Sequence, residues 1–481
     1  MADDPGSDEA TPRPAWAPTL DHVLVVGLVI VALRIGLQPL VDNSFLTHLS
    51  TGRLILDHGA IPRHDPYSWT AHGDPWTVQS WGASVVYAGL ERWFGLAGIR
   101  VLNAGLMSAL VVVLWRLTAP AERLVGRFLA TMLAVILGAA LWTERPLLFG
   151  ALFLALVYLI VDEERDPRWL VPIMWMWVNV HGSFPFALGL VGMLAVGRFL
   201  DERRLPRIEM RALGWTAVGT LLGALNPLGW RLLVFPLDLL SNRAAFSEIA
   251  EWQPPTWGRP VEKIFLIQLV LVVVLVLWRN RHWRTVLPMV VFAGLAVTSA
   301  RNLLQASIVF TPLLAGGLRG LGSIRGDVPR PAFRGAFGAL VVLAGFVLVT
   351  GLTGSGAQNF DASPYPRQAS HWMEEEGLLG VQNRVVSQDF VGNYLAFEFG
   401  PDRTRNFIDD RVDMFPVEVI QDYTKLLKPH GDYQAILERY RATAVLWARD
   451  SNLGRYLSSS PKWQVVHRDK AWLVAVPRAG G

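Results

Sequence analysis

The feature that most constrains this chain is a succession of apolar runs, each bounded by polar residues, through its first 353 positions. A helix that crosses a bilayer needs about 20 predominantly apolar residues, with a range of roughly 17–25. Runs near this length lie at 21–41, 98–118, 127–143, 147–161, 169–181, 184–200, 212–229, 261–278, 285–300, 303–318 and 335–353. The short ones pair around Glu144-Arg145-Pro146, His181-Gly182 and Arg301-Asn302. Each pair is either two spans joined by a tight polar turn or one broken, re-entrant hairpin. Read as separate spans, the runs predict an integral membrane, mainly α protein with about eleven transmembrane helices, multi-pass in the cell membrane.

Composition agrees. Of 481 residues 52% are hydrophobic and 17% charged, against about 25% charged in soluble domains. Twenty Trp, 30 Pro and 43 Gly suit spanning helices with interfacial anchors. The lack of Cys excludes disulfides, thiolate catalysis and Cys-ligated metals. A net charge of +4 suggests nucleic acid until the charges are located. Lys occurs only at Lys263, Lys425, Lys428, Lys462 and Lys470, and the Arg residues sit in short loops between apolar runs. No basic stripe with interleaved aromatics is present, so nucleic acid is not an expected partner. Residues 1–20 are polar, acidic and Pro-containing, without the positive n-region or cleavage site of a signal peptide. They read as a disordered N-terminus before a retained first helix.

The Arg-rich loops set an orientation. Arg203, Arg204, Arg207 and Arg211 fill one, Arg279, Arg281 and Arg284 a second, and Arg319, Arg325, Arg330 and Arg334 a third. Positive loops favour the cytoplasm, and eleven spans place an even number of crossings between successive clusters. The N-terminus is then cytoplasmic and the tail outside. The acidic loop 162–168 also falls inside, a mild conflict because Asp and Glu weigh little in this rule. The segment 42–97, the turns at 143–146, 179–183 and 301–302, the loop 230–260 and the tail 354–481 all share the outer face. The chain divides into a cytoplasmic N-terminus (1–20), a transmembrane domain (21–353) whose external loop 42–97 carries the candidate site, and a small extracytoplasmic α/β domain (354–481). In that tail, strands are expected at 383–387, 406–408 and 444–447, helices at 390–399 and 433–440, and a hairpin at 463–476 turning at Arg468-Asp469-Lys470.

Candidate chemistry gathers in the first external segment. Residues 46–57 have helical apolar spacing, which suits a helix lying on the membrane surface. Asp42, where the first span leaves the membrane, is either a general base for an attacking hydroxyl or a helix N-cap. Asp65, before Pro66, is a second acidic candidate or a turn former. His48 and His64 either contact a phosphate or, with the two Asp, a metal, or are plain solvated residues at the interface. Their spacing matches no recognised ligand set, so a divalent cation stays an open alternative. Arg145, His181 and Arg301 interrupt apolar sequence, where an ionisable group pairs or serves a site. Arg145 and Arg301 suit a lipid-linked phosphate; the alternatives are snorkelling from helix ends or a simple Glu144–Arg145 pair. Glu251-Trp252-Gln253-Pro254-Pro255 forms a stiff segment after the Asn226-Pro227 turn. Trp252 there either stacks on a sugar or lipid or is an interfacial anchor. Walker A, Rossmann, nucleophile-elbow and His-Glu-x-x-His motifs are absent.

The motif set as a whole resembles a family. Asp42, His48, Thr51-Gly52-Arg53, Ile61-Pro62, Asp65-Pro66, Ser68, Trp76 and Trp81 open the pattern. Arg145-Pro146, Asn179-x-His181-Gly182, Asn226-Pro227-x-Gly229-Trp230, Glu251-Trp252-Gln253-Pro254 and Arg301-Asn302 continue it, and Gly392-x-Tyr394-Leu395 and Asp409-x-Arg411-x-Asp413 close it. In this order they resemble bacterial polytopic membrane proteins of the GT-C glycosyltransferase-like superfamily. The resemblance implies a GT-C-like membrane fold, a polyprenyl-phosphate-linked sugar as donor, and a catalytic acid in the first external loop, which is Asp42 here. It departs at Ser44, where relatives carry a second Asp. The function expected is transfer of a sugar from a polyprenyl-phosphate carrier to an acceptor in the cell envelope. The alternative is a catalytically silent membrane protein that binds an envelope lipid or glycan or scaffolds envelope enzymes. A transporter would call for midplane charges and repeated halves; Arg34 is the one clear candidate and no repeat accompanies it.

Overall fold

Every apolar run of the first 353 residues folds as a helix in the computed structural model, which describes residues 17–241, 250–353 and 359–478. The first 16 residues and most of the Gly/Ser-rich junction at 351–357 lie outside the described residues. Residues 17–20 are ordered, because Thr19 caps the first helix through its hydroxyl. The helices are α1 (Leu20–Gly36), α2 (Asn43–His58), α3 (Trp81–Leu117), α4 (Leu124–Leu141), α5 (Leu147–Asp162), α6 (Leu170–Val180), α7 (Pro185–Glu202), α8 (Arg207–Leu222) and α9 (Arg231–Ser241). They continue as α10 (Pro260–Arg279), α11 (Trp283–Thr298), α12 (Leu303–Gly317) and α13 (Phe333–Thr353).

Among the described residues four helical stretches are long and apolar enough to cross a membrane: Trp81–Ala121, α4, α10 and α13. The other helices of the bundle are shorter or, like α7, carry more charge, so the count of eleven crossings is not matched by eleven helices of spanning length. Exposure argues for a lipid environment all the same. Helices α5 and α12 are apolar all round and buried, as such helices are in a bundle core. Helix α13 is equally apolar, packs along α1, and buries none of its side chains. Val342, Phe346 and Val349 stand free on it, a surface that water does not tolerate over this length.

Charge separates the two ends of the bundle. At one end Arg284 pairs with Asp162 at 3.2 Å and with buried Glu209 at 3.3 Å, Arg116 with Glu163 at 3.0 Å, and Arg319 with Glu122. Asp21 of α1 meets Arg127 of α4, and its N–H donates to the Gly326 carbonyl. The Arg-rich loops and the acidic 162–168 loop therefore share an end, where cations neutralise the acids. At the other end, the Asp42 N–H donates to Glu144 at 2.7 Å, the Trp81 indole to Asn179 at 3.0 Å, and the Ala300 N–H to the Gln253 carbonyl at 2.9 Å.

Helix α2 is not a membrane-surface helix. Its apolar positions Phe45, Leu46, Leu49 and Ile55 are buried, and it is held between the first half of α3 and a helix of the tail. Gly59, left-handed at φ 64°, ends it. Helix α3 breaks at Gly95 (φ 62°, ψ −167°), so its first half belongs to the polar segment and its second to the bundle.

The tail folds around a four-stranded mixed sheet of order β1-β2-β4-β3: β1 (Val385–Ser387), β2 (Ala444–Ala448), β3 (Trp463–Arg468) and β4 (Trp472–Pro477). β1 runs parallel to β2 and the other pairs are antiparallel, with a bulge between Val465 and His467. Helices α14 (Arg367–Glu375), α15 (Asp389–Phe399), α16 (Val417–Leu427), α17 (Tyr433–Arg439) and α18 (Asn452–Ser459) cover it. The expected strand at 406–408 does not join the sheet. The Asn406 N–H donates to the Tyr67 carbonyl at 2.8 Å and its carbonyl accepts from Trp69 at 3.0 Å, so the loop after α2 takes its backbone groups.

A Cβ built on Gly52 of α2 would lie 1.9 Å from the Ser84 carbonyl oxygen of α3. Gly52→Ala must push the two helices apart, at about 1–3 kcal/mol for overpacking. We expect a lower thermal midpoint in detergent, and an unchanged midpoint would show that the α2–α3 contact yields freely.

Candidate functional site

The polar ends of the bundle and the tail enclose a cavity of about 680 Å³. Its bundle-side wall carries His48, Arg145, His181 and Arg301, and its tail-side wall carries Asp409, Asp410 and Asp413.

Asp42 is the N-cap of α2, accepting from the Ser44 N–H at 3.0 Å, and its other oxygen takes Arg145 Nε at 2.6 Å. Its side chain is buried, and it adjoins the cavity lining without forming part of it. Glu144 and Arg145 do not pair with each other. Glu144 accepts from the backbone at Asp42 and Val41, while Arg145 Nη1 reaches Glu251 at 2.7 and 3.0 Å. Burial raises the Glu144 carboxyl, and the pull of Asp42 and Glu251 outweighs burial to raise the Arg145 guanidinium.

Arg301, in the 3-10 turn Ala300–Asn302, has its guanidinium carbon 4.9 Å from the centre of the Trp252 ring. Among the described residues no carboxylate pairs with it directly. Burial lowers its pKa, as does Arg145, against the attraction of Glu251 and Asp413. His48, one turn into α2, is held down to about 4 by burial and by Arg145. His181 ends α6 and accepts from the Ser183 N–H on Nδ1 at 3.2 Å. Burial, Arg301 and His48 keep it well below its ordinary value. Both imidazoles are thus neutral near pH 7, and the neutral His181 carries its proton on Nε2.

Two expectations fail on geometry. Asp65 lies outside the cavity, buried and closed off by Arg411 Nη2 at 2.7 Å. It also accepts from the N–H groups of Tyr67 and Ser68 at 3.2 and 3.1 Å and from the Ser68 hydroxyl, so it is a turn former and ion-pair partner without a free oxygen for chemistry. His64 is exposed, bridges Pro75 through its backbone, and does not line the cavity.

Sequence reasoning missed the tail's acids as site residues. Asp409 is buried under Arg411, which contacts it at 2.9 and 2.6 Å and lies over the faces of Tyr67 and Trp76. Asp410 accepts from the Thr47 hydroxyl of α2 at 3.0 Å. Asn393 of α15 locks this meeting: its Oδ1, 2.7 Å from the Thr47 hydroxyl, shares that single proton with Asp410 and accepts from the Asp410 N–H at 3.2 Å. Burial and the neighbouring Asp409 push the Asp410 carboxyl up to about 6, against the Ser44 and Thr47 hydroxyls and Arg145. Burial raises Asp413 too. The signal available in sequence was three acids within five residues, Asp409-Asp410-Arg411-Val412-Asp413. Gln79 Nε2 and Gln388 Oε1, from residues that line the same cavity, are buried without a partner. Among the described residues no group of three or more acids or histidines is placed to hold a metal ion.

No family model matches the sequence, and neither does any curated protein. Among solved structures the chain is similar to ArnT from Cupriavidus metallidurans, described bound to undecaprenyl phosphate. The identity is 14% and the TM-score 0.49, over 95% of this chain and 98% of that one.

Removing one partner of a buried ion pair costs about 3–5 kcal/mol. We expect Arg411→Met to lower the thermal midpoint by that order, since it strands Asp65 and Asp409. Adding Asp65→Asn and Asp409→Asn is expected to recover much of the loss. A loss that the added substitutions leave untouched would assign Arg411 a packing role instead.

Proposed function

We propose that this protein is an integral membrane glycosyltransferase of GT-C type, which moves a sugar from a polyprenyl-phosphate carrier to an acceptor outside the cytoplasmic membrane. The observation that carries the reading is the pairing of walls in one cavity. Arg301, a cation without a direct carboxylate partner among the described residues, stands on the bundle side, and carboxylates stand on the tail side. A lipid-linked sugar phosphate needs its phosphate held at the level of the helix ends, and its leaving oxygen gains charge as the glycosidic bond breaks. A guanidinium with free donors stabilises that charge. The motif order that resembles GT-C proteins supports the same class.

In this reading the Arg-rich end of the bundle is cytoplasmic, by the positive-inside tendency, and the cavity and tail 354–481 are extracytoplasmic. Asp42 acts through Arg145, as a positioning residue. His48 and His181, neutral, donate or accept hydrogen bonds without adding charge, and Trp252 backs Arg301. The second reading, a silent binder of an envelope lipid or glycan, draws on one observation: both acids first singled out, Asp42 and Asp65, are held in ion pairs.

The test is sugar transfer by the full chain in proteoliposomes, using a panel of radiolabelled polyprenyl-phosphate sugars and envelope extract as acceptor. Loss of a preorganised charge donor costs about 10²–10³ in rate, so Arg301→Gln is expected to lose transfer by that factor. Its affinity for polyprenyl phosphate is expected to fall about 10- to 100-fold, the worth of hydrogen bonds to a charged group. Saturable lipid binding without transfer from any donor would leave the silent binder standing in its place.

A further inference from the structure

We propose that the proton acceptor of this reaction is Asp410, so that the C-terminal segment completes the active site instead of merely covering it. The inference rests on the transferase reading above. Geometry selects the residue. A base needs a carboxylate that reaches the cavity and is not already neutralised by a cation. Asp42 and Glu251 are bound to Arg145, Asp409 is bound to Arg411, and Asp389 accepts from the Tyr423 hydroxyl at 2.8 Å. Among the described lining residues that leaves Asp389, Asp410 and Asp413 without an ion-pair partner; Asp389 spends Oδ1 on the Tyr423 hydroxyl and on the Phe390 N–H of its own helix, so the choice narrows to Asp410 and Asp413.

Orientation separates these two. Asp410 is fixed by the Thr47 hydroxyl at 3.0 Å, with its backbone N–H tied to Asn393, which itself donates to the Asn43 carbonyl at 3.2 Å. The carboxylate is thereby registered to the first turn of α2, beside the Asp42–Arg145 pair. Asp413 has no side-chain hydrogen bond of this kind. The charged and titratable groups acting on Asp410 are Asp409 on its own segment, Arg145 from the α4–α5 turn, and Tyr365, whose phenol burial keeps neutral. The net effect of its surroundings leaves Asp410 titrating at about 6, ionised and still basic at neutral pH.

Asp410 takes the proton of an acceptor hydroxyl, and the oxygen forms a bond to the anomeric carbon. The bond from that carbon to the carrier's phosphate oxygen breaks, its electron pair stays on the phosphate, and Arg301 faces the added charge. The anomeric centre inverts, and the proton leaves Asp410 for water.

The experiment compares wild type, Asp410→Asn, Asp410→Glu and Thr47→Val in full-length protein in proteoliposomes. It reads transfer from the polyprenyl-phosphate sugar used by the wild type between pH 5 and 8, together with binding of polyprenyl phosphate alone. We expect wild-type transfer to fall as pH drops through about 6. Asp410→Asn is expected to lose about a hundredfold or more in rate, to bind the lipid within about twofold of wild type, and to show no such acid limb. Asp410→Glu is expected to restore part of the rate and the limb. Thr47→Val, which removes a hydrogen bond to the ionised form, is expected to move the limb upward by about half a unit to one unit. That shift holds as a test even where Asp410→Asn does not fold. Transfer by Asp410→Asn near the wild-type rate with the limb intact overturns the base alone. An unmoved limb in Thr47→Val does the same. Absence of transfer by the wild type from every donor overturns the transferase reading and the base with it.

Discussion

The cavity exists because Arg411 joins two distant parts of the chain. It is buried between Asp65, in the loop after α2, and Asp409, in the tail, with Tyr67 and Trp76 on its faces. Desolvated charges are costly unless they are paired, so removing any one of the three leaves its partner buried and uncompensated. Around it the backbone of Asn406 bridges Ser68 and Tyr67, and Trp69 donates its indole N–H to the Val385 carbonyl at 3.2 Å. Loop and tail form one body as a result. Asp410 directly precedes Arg411 in the chain, so the contact that closes the joint also sets where the neighbouring carboxylate stands.

Helix existence was legible because lipid-facing and core-facing helices obey one compositional rule, and every apolar run is helical. Span number was not. Several helices end well short of a bilayer's thickness, and whether a short apolar helix crosses depends on its neighbours. The two ends of the bundle were legible from Arg placement alone, and even the discordant acidic loop resolves. Asp162 and Glu163 meet Arg284 and Arg116, residues at the ends of other helices that the periodicity of the chain cannot bring together.

Part of the site was legible for the same kind of reason. Arg145, His181 and Arg301 were conspicuous because charge is costly beside apolar sequence, and all three line the cavity with His48, Glu251 and Trp252. Asp65 and His64 sat in an equally suggestive motif but carry backbone and ion-pair duties elsewhere. The tail's acids were invisible as partners of α2, since more than 360 residues separate Thr47 from Asp410 and no local pattern encodes that meeting.

Charge in the cavity also breaks the apparent equivalence of Arg145 and Arg301. Arg145 faces two carboxylates, Asp42 and Glu251, so it brings no net positive charge to a ligand. Its effect is mechanical: it ties the entry to α2 to the segment that carries Trp252. Arg301 has its guanidinium carbon 4.9 Å from the centre of that same Trp252 ring, a cation–π contact that leaves it without a carboxylate partner among the described residues. The histidines are neutral, and Asp413, the unpaired acid whose charge acts on Arg301, is raised by burial. Among the described residues, an anion entering the cavity therefore meets in Arg301 a cation without a direct carboxylate partner, positioned by a chain of contacts that begins at Asp42. A mutation at Asp42 would then act on anion binding through Arg145, Glu251 and Trp252, with no contact between Asp42 and the ligand.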